Sequence, residues 1–194
     1  MLKEIPQAPP VLEGSAYLDE QWRSAMMVLK NGKEIRGVRL RYDLLNELFE
    51  VQYEDLFRSV VPDSFQEVRV YSDPSSTSLY ATYEPFRRYD RTKQGLAKTL
   101  YTNDSIRIIE RPYVEVKEPT YVPTHHVGSR NKQIVQKRAL YVFRGGKLVR
   151  FNRTKKSLAE LIEMDLKDFK GLLKKENIDL DNDEELIRLL SAHI

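Results

Sequence analysis

Apolar and polar residues alternate along much of residues 14–53. From Val38 to Tyr42 every second residue is apolar, and Arg39 and Arg41 lie between them. The same period continues after Asn46. A period of two is typical of strands that bury one face. The pattern predicts three consecutive antiparallel strands with five core residues: Val38, Leu40, Tyr42, Phe49 and Val51.

Turn residues divide the apolar runs. Asn31-Gly32 predicts a type I′ hairpin turn, because both residues tolerate a positive φ. Gly145-Gly146 predicts another hairpin turn, and Asn103-Asp104 a third. Residues 55–62 fit either a short helical turn or a strand. Residues 112–123 contain three prolines and predict an edge segment or a loop. The polar residues 124–136 predict a flexible loop.

These patterns predict a mainly β (α+β) fold. The expected architecture is a curved antiparallel meander or half-barrel of about eight to ten strands, with a small C-terminal helical element. The predicted divisions are an extended leader over residues 1–13, an antiparallel β domain over 14–153, and a helical element over 154–194 packed on the β domain.

The C-terminal residues change to a helical period. Ser157 and Glu160 have the spacing of a capping box, and Asp165 is placed to cap a second helix. Asn177 suits a left-handed helix end, and Asp181 or Asp183 is expected to cap a last helix. An alternative is a helix-turn-helix DNA reader over residues 157–178. Its second helix lacks the Arg, Asn or Gln that reads base edges, which favours the packing role.

The composition excludes several chemistries. The 194 residues include no cysteine, so disulfides, thiol catalysis and cysteine-bound zinc are excluded. No apolar run approaches the 18 or so residues of a membrane span. The segment MLKEIPQAPP lacks the apolar region of a signal peptide and predicts the extended leader. His125 and His126 are adjacent, and no HExxH, P-loop or GxSxG motif occurs. We therefore expect no enzyme activity, cofactor or metal.

The net charge is only +3, but it is unevenly distributed. No acidic residue occurs between Glu118 and Glu160, whereas the residues after Ser157 are rich in carboxylates. The basic segment consists of Arg130, Lys132, Lys137, Arg138, Arg144, Lys147, Arg150, Arg153, Lys155 and Lys156. It indicates either a surface for nucleic acid or another anionic partner, or strands that the acidic tail neutralises.

A binding surface is predicted where the basic segment, the polar loop and aromatic residues occur together. Arg and Tyr supply much of the anchoring energy in protein interfaces, and loops on a rigid sheet commonly carry such contacts. The predicted binding residues are His125, His126, Arg130, Lys132, Tyr113 and Tyr121.

Three stretches carry a family resemblance. They are GSAYLDEQW with the following GVRLRYDLLNELFEVQ, the later GLAKTLYTNDSIRIIER, and the closing KSLAELIEMDLKDFKGLLKKENIDLDNDEELIRLL. They resemble a group of uncharacterised secreted or envelope proteins of Bacteroidota. The resemblance covers most of residues 14–194 and implies an extracytoplasmic antiparallel-β protein without assigned chemistry. Asp104-Ser105-Ile106 also resembles the glycosylation signal of those bacteria.

The expected function is a non-catalytic binding or assembly component of the cell envelope, periplasmic or associated with the outer membrane. The expected partner is another envelope protein or an anionic surface. The alternative is a nucleic-acid-binding protein that uses the basic segment and the helical tail.

Overall fold

The computed structural model describes residues 12–72, 78–121 and 127–193, and it confirms the predicted fold class. One sheet contains eleven strands. In chain order they are β1 (Leu12–Glu13), β2 (Arg23–Leu29), β3 (Glu34–Asp43), β4 (Leu48–Tyr53), β5 (Leu56–Val60), β6 (Phe65–Tyr71), β7 (Leu79–Pro85), β8 (Leu96–Thr102), β9 (Ile106–Lys117), β10 (Lys132–Arg144) and β11 (Lys147–Phe151). Three helices follow: α1 (Lys155–Leu161), α2 (Leu166–Lys175) and α3 (Asp183–His193).

The sheet departs from a simple meander in two places, because β6 pairs with β2 and not with β5, and β1 pairs with β10 and not with β2. Its order is β1-β10-β9-β8-β7-β6-β2-β3-β4-β5, and β11 also pairs with β10. All pairs are antiparallel except β1 with β10, which are parallel. Within the described part of the chain, β5 pairs only with β4. The sheet is therefore mixed and is not closed into a barrel.

Residues 14–18, which we call the N-terminal strap, show that the sheet curves. Gln136 on β10 donates to the carbonyls of Ser15 and Tyr17, at 3.3 and 2.7 Å. Tyr17 in turn forms a bridge with Asp43 on β3. Five strands separate β10 from β3 in the sheet order. In a flat sheet β10 and β3 would lie about 29 Å apart. The five residues of the strap span at most about 18 Å and still contact both strands, so the sheet must curve.

Gly14 lets the chain pass from β1 into the strap. Its φ is +97°, a left-handed conformation that a side chain rarely adopts. A Cβ at this position would lie 2.7 Å from the carbonyl oxygen of Ile134. Only glycine therefore fits against β10 here. Leu12 and Glu13, the end of the predicted leader, form β1, and the rest of that leader lies outside the described residues.

The core has three apolar clusters. The first lies inside the curve of β2–β8, and it contains all five predicted core residues, each at most 7% exposed. The second lies between the helices and β9–β11, where Leu140 and Phe151 meet Phe169 and Leu186. The third, on the other face of β8–β10, contains Phe86, which makes a ring contact with Tyr141. The helices are thus anchored on the strands by a shared apolar cluster.

The hairpin at Asn31-Gly32 is confirmed, but its predicted turn type is wrong. Gly32 has φ +80°, whereas Asn31 does not have a positive φ. Gly32 N–H donates to Leu29 O, and Leu29 N–H donates to Lys33 O, so three residues form the loop. Such loops combine a type I turn with one left-handed residue. At Gly145-Gly146 both φ values are positive, as predicted.

The helix ends agree only partly with the sequence analysis. Thr154 caps α1 by accepting from Ser157 N–H, so the predicted capping box at Ser157 is wrong. Ser157 Oγ instead accepts from Asn152 N–H at 3.0 Å. Asp165 caps α2, and Asn177 has the predicted left-handed φ. The side chain that accepts from the first amides of α3 is Asn182, not either aspartate.

Three segments whose structure was uncertain from the sequence contain strand. Residues 55–62 fit either a short helical turn or a strand, and residues 56–60 form β5. β9 continues through Pro112 to Lys117, and β10 begins at Lys132. Pro112 is tolerated because β8 pairs with β9 only as far as Glu110, so beyond it one edge of β9 is open. The run Asp-Pro-Ser-Ser-Thr at residues 73–77 predicts a further turn from its composition, and it lies outside the described residues.

Candidate functional site

The predicted binding residues do not form one site. Arg130 donates to the Tyr121 hydroxyl at 2.7 Å, and its guanidinium lies 4.2 Å from the centre of that ring. Lys132 Nζ lies 3.0 Å from Glu118 Oε1. Tyr113 is farther along β9, opposite Lys137. His125 and His126 lie outside the described residues. The structure thus joins Arg130 to Tyr121 and shows no contact between this pair and Tyr113.

Much of the basic segment is paired with acidic residues. Besides Lys132, the residues in ion pairs are Lys137 with Glu115, Arg138 with Glu110, Arg153 with Asp183 and Lys156 with Glu160. Arg153 also donates to the carbonyls of Leu180 and Asp181, so the acidic tail lies beside the end of β11. These contacts favour the interpretation in which the tail neutralises part of the basic segment.

A cleft on the concave side of the sheet is the strongest candidate site. Its inner cavity, about 200 Å³, lies under the N-terminal strap and is lined by Arg23, Tyr83 and Lys98, among others. Its outer cavity, about 730 Å³, opens between the end of β11 and the segment before α3. Both cavities are lined by Glu110, Gln136 and Arg138. We call the two together the concave cleft.

Glu110 lies where the two cavities meet. It follows Ile106 and Ile108 on the same face of β9 and is only 5% exposed. Its one ion pair is with Arg138, at 3.7 Å between Oε2 and Nη1, which is too long for a hydrogen bond. Among the described residues no hydrogen-bond donor reaches this carboxylate. Its oxygens are not among the fully enclosed atoms that lack a partner, so the carboxylate opens into the cleft. A largely buried carboxylate without a hydrogen bond from the protein calls for an explanation.

Glu84 shows how the same fold satisfies a structural carboxylate. It is also 5% exposed, but it lies on the opposite face of the sheet. Arg88 donates to it at 2.6 Å, Tyr89 at 3.1 Å and Arg107 at 3.1 Å. Burial and this acidic partner raise the pKa of Tyr89, although Arg107 opposes the shift. Glu84 has the full set of partners that Glu110 lacks.

Aromatic rings and cations form one wall of the inner cavity. Arg23 and Lys98 both lie near the ring of Tyr80, at 5.4 and 6.0 Å from its centre. Arg23 is held by Asp19, with 2.5 Å between Nη2 and Oδ2. Lys98 has no ion pair among the described residues. Burial raises the pKa of Tyr83, so that its hydroxyl keeps its proton at neutral pH.

A second cluster fixes the strap over this cavity. Arg41 donates to Glu50 at 2.7 Å and stacks on the ring of Tyr17 at 3.9 Å. Tyr17 donates its hydroxyl to Glu50 at 2.9 Å. The hydrogen bond from Tyr17 to Glu50 is the largest cause of the raised pKa of Tyr17. The hydrogen bond from Arg41 to Glu50 is likewise the largest cause of the raised pKa of Arg41. These contacts therefore hold the strap against β3 and β4.

The described residues contain no group of three or more His, Asp or Glu side chains arranged to hold a metal ion. None of the helices in the described part of the chain is long and apolar enough to cross a membrane. Comparison with protein-family models, with curated proteins and with solved structures finds no match. The site must therefore be interpreted from its own geometry.

In the sequence, Glu110 and Glu115 form a carboxylate pair of the kind that antiparallel sheets commonly carry on solvated faces. That interpretation is wrong for Glu110, which is buried, and the sequence carries a signal for its burial. In the run Ile106-Arg-Ile-Ile-Glu110 the glutamate occupies an inward position of a strand that is otherwise apolar on that face. A charged residue at a core position is the informative exception to burial patterns.

Proposed function

We propose that this chain is a non-catalytic binding protein whose concave cleft holds a neutral, hydroxyl-rich ligand such as a glycan. The observation that carries the proposal is the Glu110 carboxylate, which is buried at the junction of both cavities without a hydrogen bond from the described residues. A ligand hydroxyl that donates to this carboxylate would offset its desolvation.

The lining suits a ligand that both donates and accepts. Lys98 and Arg138 offer donors, and Glu110 accepts, whereas the amide of Gln136 already donates to the strap. Tyr80 and Tyr83 add ring surfaces for the apolar face of a sugar. Small-molecule sites typically combine aromatic walls with a few polar groups that fix orientation.

The charges of the cleft favour a neutral ligand. Lys98 and Arg138 would repel a cation placed beside Glu110, and Glu110 would repel an anion placed beside them. Asp19 and Arg23 neutralise each other in an ion pair. The hydroxyl groups of a neutral ligand can donate to Glu110 and accept from Lys98 or Arg138, and no charge on the ligand is repelled by either.

Calorimetric titration with neutral disaccharides tests the proposal, with maltose, cellobiose and chitobiose as probes. We expect at least one to bind, and Glu110→Gln to weaken that binding about tenfold or more, because a hydrogen bond to a charged group contributes about 1.5–3 kcal/mol. Glu115→Gln on the same strand is the matched control, since Glu115 pairs with Lys137 and does not line the cleft. It should bind as the wild type does.

Two results would overturn the proposal. The first is that none of the three neutral disaccharides binds at millimolar concentration. This result would overturn the proposal whether or not the charged sugars glucuronate and glucosamine bind. The other is equal affinity of the wild type and Glu110→Gln, with circular dichroism showing that both are folded.

We also propose an extracytoplasmic location and an envelope partner, which rest on the resemblance of the sequence. Fractionation of cells that carry the native gene should recover the chain with the periplasmic or membrane fraction. Recovery with the cytoplasm would contradict the location.

Exchange of Arg130 and Lys132 for Glu should reduce capture of an anionic partner, and equal capture of every partner would remove these residues from the contact.

A further inference from the structure

The last strand of the sheet, β5, exposes an unusual amount of apolar surface. Leu56, Phe57 and Val61 are 51%, 60% and 53% exposed, and Tyr53, just before the turn that leads into β5, is 42% exposed. Among the described aromatic rings, Trp22 is the one that contacts this group, packing edge-on against Phe57 with 5.9 Å between the ring centres. Exposed apolar edge strands are sites where another strand adds, and natural proteins usually protect them with charges or cover them.

Among the described strands, none pairs with the outer side of β5. Tyr53 and Leu56 face each other across a two-residue turn, so Leu56 and Arg58 direct their amides toward β4. Phe57 and Ser59 then direct theirs away from the sheet. The guanidinium of Arg58 donates to the carbonyl of Phe57 at 2.8 Å, which agrees with an outward-facing carbonyl.

The charges around β5 suit a second copy in antiparallel orientation. Glu54 and Asp55, in the turn before β5, are exposed, and Arg58 follows within the strand. None of the three has an ion pair among the described residues. With Phe57 of the two copies opposite each other, Leu56 of one copy lies opposite Arg58 of the other. Glu54 is then diagonal to that Arg58 on the same face of the joined sheet, within reach of an ion pair.

The opposite edge of the sheet is partly covered, and its outer strand β11 is basic. β1 and β11 occupy the two ends of the outer edge of β10. β11 itself carries Lys147 and Arg150, which would repel Arg58. Contact between β5 and the far edge of another copy, which would build an open fibre, is therefore disfavoured. Contact of β5 with β5 closes on itself through a two-fold axis.

We infer that two copies of this chain associate through antiparallel pairing of β5, so that one continuous sheet runs through the dimer. Phe57 lies at the centre of this contact, with Val61 and Leu56 beside it. The concave cleft lies on the inner side of each sheet and stays open in such a dimer, so this inference is independent of the proposed ligand.

Sedimentation velocity across a range of concentrations tests the dimer. We expect the wild type to dimerise and Ser59→Pro to be monomeric, because proline removes an outward amide that pairs only with the second copy. Ser59→Ala, which keeps the amide, is the matched control and should dimerise as the wild type does. A monomeric wild type at all concentrations, or a Ser59→Pro variant that dimerises equally well, would overturn the inference.

Charge reversal provides a second test that does not depend on proline. Arg58→Glu should raise the dimer dissociation constant about tenfold, because two attractive contacts become repulsive. Adding Glu54→Lys to Arg58→Glu should restore it. An unchanged dissociation constant in Arg58→Glu would overturn the predicted orientation of the two strands.

Discussion

Arg111 and Glu47 are 64 residues apart in the sequence, yet their side chains form an ion pair with 2.9 Å between Nη2 and Oε1. The pair joins β9 to the turn between β3 and β4. Arg111 also donates to the carbonyl of Gln94 at 3.3 Å. Because β9 and β3 are not neighbours in the sheet order, this contact is one of the few that hold the curve of the sheet.

Glu47→Gln should lower the free energy of unfolding by about 1–3 kcal/mol, because it leaves a partly buried guanidinium without its charged partner. Urea denaturation measures the loss. Glu34→Gln is the control, since Glu34 pairs with an exposed Arg36 and such surface pairs contribute about 0–1 kcal/mol. Equal losses in both variants would show that the Arg111 contact does not stabilise the curve.

Tyr42→Phe should stabilise the protein. The hydroxyl of Tyr42 is buried and has no hydrogen-bond partner in the described structure, while its ring packs on Phe49 at 4.9 Å. Removal of an unsatisfied hydroxyl without loss of the ring should raise the free energy of unfolding by about 1–2 kcal/mol. Tyr53→Phe, at an exposed position, should change it by less than about 0.5 kcal/mol. A loss of stability in Tyr42→Phe would mean that the hydroxyl is bound.

The stability should fall steeply at alkaline pH. Burial raises the pKa of both Tyr42 and Tyr83 above the ordinary value of about 10. A group whose folded pKa is raised contributes stability that is complete below its unfolded pKa and is lost as the pH rises above it. The free energy of unfolding should therefore decrease from about pH 10 upward. Tyr83→Phe should flatten this decrease, and an unchanged slope would contradict the assignment.

Glu110→Leu should raise the free energy of unfolding, by about 1–4 kcal/mol, because an apolar side chain replaces a poorly paired buried charge. Glu84→Leu should lower it by about 3–5 kcal/mol, because it leaves Arg107 and Arg88 without their shared partner. Thermal and urea unfolding of the two variants give the comparison. Destabilisation of both by the same amount would indicate that Glu110 has a structural role instead of a binding role.

The sequence predicts what local patterns control. The alternation of Val38, Leu40 and Tyr42 identifies the buried face because strand side chains point to opposite sides in turn. Gly145-Gly146 predicts its turn because few other residues tolerate two positive φ values. At Asn31 the same argument gives the hairpin but the wrong turn, because one additional residue changes which position is left-handed.

The concave cleft depends on contacts that no local pattern encodes. Lys98 and Glu110 are cross-strand neighbours on β8 and β9, which the predicted turn at Asn103-Asp104 already joins. Arg23 on β2 lines the same cavity only because the sheet curves. That curvature depends on the strap and on the Arg111–Glu47 pair, which join residues far apart in the chain, so no local pattern brings β2 beside β9.

The strap also has a consequence for the order in which the chain folds. The hydrogen bond from Gln136 to Ser15 spans 121 residues, and that from Gln136 to Tyr17 spans 119. Closing so long a loop has an entropic cost that is offset only by contacts made once β10 is in place. Folds that depend on such distant contacts reach the native state in milliseconds to seconds. During synthesis the strap leaves the ribosome before β10, and it has to wait for the 119 residues that separate Tyr17 from Gln136 before its partner strand exists.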